Sequence, residues 1–201
     1  PYGRNFLGTP PQGRADYAFI QHILKSMDPR SGRCAILLPH GVLFRNEESE
    51  MRERLVRSDL IEAVIGLGPN LFFNSPMEAC ILICRSMKAP KRRGRILFVD
   101  ASSEVTRKNA QSYLEDAHIE KIVGAYRSDE GNDDFSAYAT IDEIEDNASS
   151  LSIPLYVKMA GDAESDDRSI SEVVCGWQSA AARAAGLLGD VAAKLRESDG
   201  E

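Results

Sequence analysis

The feature that most constrains the fold is an apolar run at residues 34–38, Cys-Ala-Ile-Leu-Leu, which stops at Pro39, His40 and Gly41. An uninterrupted apolar run of this length, ended by proline and glycine, is typical of a strand buried on both faces of a parallel sheet. Residues that follow such a strand lie at the carboxyl edge of the sheet, where open α/β folds bind their ligands. The run therefore predicts an α/β fold and places residues 39–45 in or beside a binding site.

Amphipathic helices and apolar strands alternate along the first 157 residues. Thr140 and Glu143 have the spacing of a capping box and predict one short helix. Alternating helices and strands indicate a doubly wound, mostly parallel sheet. The other predicted helices lie near 15–27, 46–57 and 116–126, and the further predicted strands lie at 60–67, 78–84 and 95–100.

The net charge of -7 is spread unevenly along the chain. Residues 1–128 contain 19 basic and 14 acidic residues, whereas residues 129–167 contain 12 acidic residues and one basic residue, Lys158. The acidity belongs to the later segment, so the mildly basic earlier part is compatible with a nucleic-acid partner. Because no apolar run is long enough to cross a bilayer and no signal segment opens the chain, we expect no membrane partner and a cytoplasmic location.

The spacing of cysteines and histidines predicts no metal site. The four cysteines form no CxxC pair, and His22, His40 and His118 are far apart in the sequence. No helical pattern follows Gly66-Leu-Gly68-Pro69, so this segment does not predict a phosphate-binding loop. At the predicted sheet edge, His40 is either a site residue or a loop histidine that bonds the backbone.

Two further segments each have two interpretations. Residues 85–95 contain six basic residues and no acidic one, which fits either a loop that reaches phosphates or a solvated surface. Phe72 and Phe73 lie in a predicted turn, where an exposed ring needs a base or a neighbouring chain to cover it. The alternative is that one of the two rings is buried in the core.

The last part of the chain combines an acidic stretch with an amphipathic segment. Small and acidic residues predict a linker at 158–169. Beyond it, apolar residues recur at alternating spacings of three and four from Val174 to Leu195, which predicts a helix within 170–198. Its narrow apolar stripe is covered either by the chain's own domain or by a partner protein.

Seven segments of residues 1–157 share their order and spacing with one known family. They are Pro-Tyr-Gly at 1–3, Ala-Asp-Tyr-Ala-Phe-Ile-Gln-His at 15–22, Leu-Pro-His-Gly-Val-Leu-Phe-Arg at 38–45, and residues 60–72, 97–102, 118–123 and 152–157. The chain resembles the modification (M) subunit of type I restriction-modification systems, an N6-adenine DNA methyltransferase. The resemblance implies that residues 1–157 form the carboxyl-terminal half of a Rossmann-like methyltransferase sheet, and that 170–198 is a carboxyl-terminal helical extension.

The resemblance also implies a reaction and a set of site residues. The family transfers a methyl group from S-adenosylmethionine to the amino nitrogen of an adenine flipped out of the duplex. Its motif is Asn-Pro-Pro followed by Tyr or Phe, in which the Asn side chain and the first Pro carbonyl accept hydrogen bonds from the amino group while the aromatic ring stacks on the base. The residues carried over are Pro1 and Tyr2 as the last two motif positions and, as base-stacking or DNA-facing residues, Phe72, Phe73, His40 and Arg45.

The partners that the resemblance implies are double-stranded DNA, a specificity (S) subunit bound by the stripe from Val174 to Leu195, and a restriction (R) subunit in the full complex. The chain contains neither the Asn-Pro of the motif nor the glycine-rich turn that binds the cofactor, so we expect a fragment that is inactive alone and binds no S-adenosylmethionine. The alternative is a non-catalytic interaction module that retains the sheet and docks an S subunit. A methyltransferase for RNA or protein would share the Pro-Tyr corner but not segments 38–45 and 152–157.

Overall fold

The computed structural model describes residues 3–72, 75–109, 111–132 and 134–157. Several predictions concern residues outside this part of the chain. They are the catalytic roles of Pro1 and Tyr2, the base-stacking role of Phe73, the linker at 158–169 and the helix within 170–198. These stay predictions.

The described residues form four α-helices and seven strands in an α/β arrangement. Short 3₁₀ turns at His40–Leu43, Asn46–Glu48, Pro90–Arg92 and Ile153–Leu155 connect or follow them. None of the described helices has the length and apolarity needed to cross a membrane. In chain order the elements are α1 (Asp16–Ser26), β1 (Arg33–Pro39), α2 (Ser49–Arg57), β2 (Ile61–Leu67), β3 (Ala79–Arg85), β4 (Arg95–Ala101), β5 (Thr106–Lys108), β6 (Gln111–Tyr113), α3 (Asp116–Arg127), β7 (Ser136–Thr140) and α4 (Ile141–Asp146).

Local sequence signals explain how α4 begins and what supports α2. The Thr140 side chain accepts a hydrogen bond from the Glu143 amide while the Glu143 carboxylate accepts one from the Thr140 amide, so the predicted capping box is confirmed. On α2, Arg57 lies 2.7 Å from Glu53 in an i,i+4 ion pair. The short polar helices thus have local support in addition to their apolar faces.

The main sheet has the strand order β1-β3-β2-β4-β7. The predicted α/β class is confirmed, but the predicted mostly parallel pairing needs correction. Only β2 and β4 run parallel among the described strands, and the other three pairings are antiparallel. The reason lies in the connections: residues 68–78 join β2 to β3 without a helix, and only a long crossover would return the chain in the same direction.

Strand β1 lies at one edge of the described sheet and pairs there with β3. Ile36 and Leu38 are buried on one face, whereas Leu37 between them is 51% exposed. The prediction that this strand is buried on both faces is therefore wrong for the described structure. The apolar run reads as continuous because its exposed positions, Ala35 and Leu37, are also apolar, which hides the period-two pattern.

Helices cover both faces of the sheet. On one face, residues of α1, α2 and α4 pack with alternate strand residues, and the Phe98 ring of β4 stacks on Tyr156 with centroids 4.2 Å apart. On the other face, Leu97 and Val99 of β4 pack with Ile122 of α3. The two layers of side chains fix the sheet between helices and set the position of the loops at its edges.

Candidate functional site

The carboxyl ends of β1, β2 and β4 meet at one edge of the sheet. Pro39 and Leu67, the last residues of β1 and β2, both align with Ala79 at the start of β3, and Leu67 also aligns with Ala101 at the end of β4. The loops at 40–45, 68–78 and 102–105 therefore start or finish at this edge. Residues 39–45 therefore follow β1 at the carboxyl edge, as predicted, while their part in a binding site stays a prediction.

An open apolar pocket of about 200 Å³ lies at this edge. Its walls combine the last residues of β1 with the loop that leads into β3. Phe72, one of the two predicted base-stacking residues, lines it together with Pro39. The remaining lining residues are Leu37, Leu38, Ser75, Met77, Glu78 and Ala79. The structure thus brings together two segments that are more than 30 residues apart in the sequence, and both belong to the predicted site.

His40 is adjacent to the pocket through its contacts with Glu78. Its amide donates a hydrogen bond to the Glu78 carbonyl at 3.3 Å, and its Nδ1 atom lies 3.5 Å from the Glu78 carboxylate. The ring also packs edge-on against Phe44, with centroids 5.9 Å apart. The buried Nε2 atom has no hydrogen-bond partner in the part of the chain that the structure describes. His40 therefore keeps one buried ring nitrogen without a partner among the described residues, while its backbone is bonded to Glu78 just before β3.

Arg45 packs back over its own loop. A Cβ atom at Gly41 would lie 2.6 Å from the Arg45 Nε atom, so glycine at this position makes room for the guanidinium. Arg45 donates a hydrogen bond to Asp16 of α1 at 2.9 Å and lies 3.7 Å from the Glu48 carboxylate. The DNA-facing role of Arg45 stays a prediction, and in this structure its charge is bound by two carboxylates.

Glu48 is a buried carboxylate that sequence reasoning missed, because acidic residues are common in the first turn of a helix. Neither oxygen accepts a hydrogen bond from the described residues. Burial raises the pKa of Glu48 above its ordinary value, and the nearby Arg45 and Arg52 partly oppose that rise. Its nearest ion-pair partner among the described residues is Arg45, at 3.7 Å.

Arg52 connects this loop to the last described segment of the chain. It is 2% exposed and donates hydrogen bonds to the carbonyl oxygens of Arg45 at 2.8 Å and Ser149 at 2.9 Å. The Leu151 amide adds a bond of 2.8 Å to the Leu43 carbonyl. Residues 147–157 thus stabilise the 40–45 loop, directly through the bond from Leu151 and indirectly through Arg52.

The basic run at 85–95 lies at the opposite edge of the sheet, where β2 and β4 begin. Glu62 of β2, 3% exposed, accepts a hydrogen bond from Arg85 at 3.1 Å and lies 3.9 Å from Arg92. Lys88 is also buried and lies 2.6 Å from Asp59; burial lowers its pKa, which the carboxylate opposes. These cations hold structural elements together, so the interpretation of the run as a phosphate-reaching loop is not supported.

No three His, Cys, Asp or Glu side chains among the described residues are grouped closely enough to hold a metal ion. Cys34, Cys80 and Cys84 are free thiols on β1 and β3. The polar chemistry at the carboxyl edge therefore rests on His40, Glu78 and the charged group around Arg45.

Comparison with protein families and curated proteins gives a consistent result. A model of the family described as N-6 DNA Methylase matches residues 2–166. The type I restriction enzyme MjaVIII methylase subunit of Methanocaldococcus jannaschii is 36% identical over 170 residues, which cover 83% of this chain and 28% of the relative. The HindI methylase subunit of Haemophilus influenzae is 34% identical over 169 residues, which cover 80% of this chain and 37% of the relative.

Solved structures show the same likeness. The methyltransferase subunit of the type I restriction-modification system from Streptococcus thermophilus superposes with a TM-score of 0.73 at 39% identity, over 79% of this chain and 33% of that protein. The EcoKI M protein has a TM-score of 0.61 at 16% identity and shares the fold over 75% of this chain. The chain thus spans 28% and 37% of the length of the two curated relatives.

Proposed function

The chain belongs to the N-6 DNA methylase family, and from this premise we propose that residues 1–157 are the carboxyl-terminal part of the catalytic domain of a type I restriction-modification methylase subunit. The reaction is methyl transfer from S-adenosylmethionine to the amino nitrogen of an adenine in DNA. The observation that carries this proposal is the apolar pocket at the carboxyl edge, where Pro39 and Phe72 come together. Open α/β folds bind their ligands at such an edge.

In this proposal the pocket receives the adenine after it has left the duplex. An apolar site with an aromatic ring suits a flipped base, because every base has a π-face that stacks on such a ring. Phe72, in the wall of the pocket, supplies one aromatic ring, and Tyr2 or Phe73 supplies a second one. Glu78 lines the pocket with a carboxylate that can contact the base edge or the sugar, and the His40 ring lies 3.5 Å from that carboxylate.

The glycine turn after β2 does not suit the cofactor. A glycine-rich turn that binds a nucleotide must leave its backbone open for close approach. Of the two glycines in Gly66-Leu-Gly68, Gly68 is closed in, because a Cβ atom there would lie 2.5 Å from the Ser102 carbonyl oxygen. A Cβ atom at Gly66 would likewise lie 2.6 Å from the Cδ1 atom of Ile153. Both glycines serve the packing of neighbouring segments, so this turn does not fit S-adenosylmethionine.

We therefore expect that the 201-residue chain neither binds S-adenosylmethionine nor methylates DNA. Isothermal titration of the chain with the cofactor gives no saturable heat, and incubation with radiolabelled cofactor and duplex DNA transfers no label. A full-length HindI methylase subunit with its S subunit serves as the reference in both assays. Saturable binding at micromolar concentrations of S-adenosylmethionine would contradict the expectation that this chain does not bind the cofactor.

The proposed partners are double-stranded DNA, an S subunit and, in the full complex, an R subunit. The S subunit binds the apolar stripe from Val174 to Leu195, whose narrow face needs a second helix to cover it. An enzyme that modifies cellular DNA in a restriction system works in the cytoplasm, and that location belongs to the same proposal.

The stripe predicts a selective effect of charge on assembly. Ala184→Asp with Leu188→Asp places two carboxylates on the stripe, and burial of unpaired charge is costly, so co-purification of the tagged chain with its S subunit should be lost. The matched control, Ala182→Asp with Gly186→Asp, adds the same charge off the stripe and should leave co-purification unchanged. Equal recovery of the S subunit with both double variants would count against this docking face.

A further inference from the structure

The hairpin of β5 and β6 extends from the edge of the sheet that carries the pocket. It follows the carboxyl end of β4 at Ala101, and the Ser112 amide donates a hydrogen bond of 2.9 Å to the Asn70 carbonyl. Val105, just before the hairpin, packs against Gly68. The hairpin is thus joined to the 68–78 loop, which supplies Phe72 to the pocket.

Two exposed cations of the hairpin are available for a ligand. Arg107 makes no hydrogen bond or ion pair with the described residues. Lys108 has one partner, Glu115 at 3.4 Å, and the two side chains are 67% and 50% exposed. An exposed pair of this kind contributes little to stability, so Lys108 can exchange its partner at little cost. The nearby Glu104 carboxylate is already bound by Lys121 at 2.5 Å.

The cations at the other edge of the sheet provide a contrast. Lys88 and Arg92 are buried and bound to carboxylates and carbonyl groups, which leaves them no capacity for an external anion. Lys88 and Arg92 of the basic run are therefore structural. Of these two basic segments, the hairpin is the one that combines free positive charge with proximity to the pocket.

We propose that the β5–β6 hairpin binds the DNA backbone beside the adenine that enters the pocket, with Arg107 and Lys108 each contacting a phosphate. This inference rests on the proposed function, because the pocket defines where the DNA lies. Adjacent residues of a strand point to opposite faces, so the two cations reach different phosphates. A two-stranded ribbon also fits the width of the major groove.

The salt dependence of DNA binding tests the proposal. Each phosphate contact contributes about 0.9 to the slope of log K against log salt concentration, through release of counterions. In anisotropy titrations of the 201-residue chain with a fluorescein-labelled duplex, Arg107→Ala and Lys108→Ala should each reduce the slope by about 0.9, and the double variant by about twice as much. Arg107→Lys keeps the charge and should keep the slope.

The matched control removes the same charge from the opposite edge. Lys91→Ala with Arg93→Ala, two exposed cations near the start of β4, should leave the slope unchanged. An unchanged slope in the hairpin variants, equal losses in both pairs of variants, or no DNA binding by the unmodified chain would each overturn the proposal. None of these outcomes bears on methyl transfer by a full-length subunit, so the proposed function is tested separately.

Discussion

Phe72→Ala should reduce methyl transfer about 10- to 100-fold in a full-length methylase subunit that contains this segment, assayed with its S subunit. Stacking of one base on an aromatic ring contributes about 1–3 kcal/mol, and each 1.4 kcal/mol corresponds to about a factor of ten. Phe72 is half-buried in the wall of the pocket, so its ring offers one face to a ligand. The measurement is the initial rate of label transfer to a duplex with one target site.

Two further variants separate stacking from general damage. Phe72→Tyr retains an aromatic face and should keep most of the rate. Phe19→Ala removes an exposed phenylalanine, 63% accessible on α1 and absent from the pocket lining, and should leave the rate unchanged. A 2-aminopurine placed at the target position reports the flipped base directly, because its fluorescence rises when Phe72 no longer stacks on it. A rate for Phe72→Ala within twofold of the unmodified enzyme would refute the stacking role.

Arg52→Met should lower the free energy of unfolding by about 3–5 kcal/mol, the range found when one partner of a buried charged group is removed. The substitution leaves the Arg45 and Ser149 carbonyls without their donor and removes a cation close to the buried Glu48. Urea unfolding of the 201-residue chain measures the change. The control, Arg57→Met, removes an arginine that is 58% exposed and should cost about 1 kcal/mol or less.

The cost of Arg52→Met should also depend on pH. Burial already raises the pKa of Glu48, and loss of Arg52 raises it further. A carboxyl group whose pKa is higher in the folded state binds protons on folding, so stability falls as pH rises from the ordinary carboxyl range through that folded pKa. The variant should therefore lose more stability relative to the parent at pH 8 than at pH 5. Glu48→Gln in the same chain should remove this difference, and equal losses at both pH values would exclude the role given to Glu48.

The sequence predicted the bounds of helices and strands better than it predicted which strands lie beside each other in the sheet. The boundaries of β2 and β4 follow from their apolar runs, and the capping box at Thr140 identifies the start of α4, since these signals are local. The direction of β3 also had a local signal, because 68–78 contains turn residues and no helical pattern. The edge position of β1 had no local signal, because the exposure of Leu37 depends on which strands lie beside β1.

The sequence predicted which segments meet at the carboxyl edge but not the contacts that support them. The carboxyl-edge rule placed Pro39 and His40 at the end of β1, where the structure has them, and Phe72 was singled out by its predicted turn and by the family resemblance. The charged group around Arg45 joins Asp16, Glu48 and Arg52 from three different elements. No spacing rule connects such positions, because charged residues at helix starts and on helix faces are common on surfaces. Only the packed structure distinguishes Arg52 from its exposed neighbours.

The bond from Arg52 to Ser149 spans 97 residues of sequence. Contacts of such long range close large loops and form after local structure is in place. The strand that leads into the 40–45 loop can pair with β3 once residue 85 has been synthesised, but the loop gains its support from Ser149 and Leu151 only much later. During translation the 40–45 loop therefore gains its final support only after Ser149 and Leu151 have been synthesised, later than the pairing of β1 with β3.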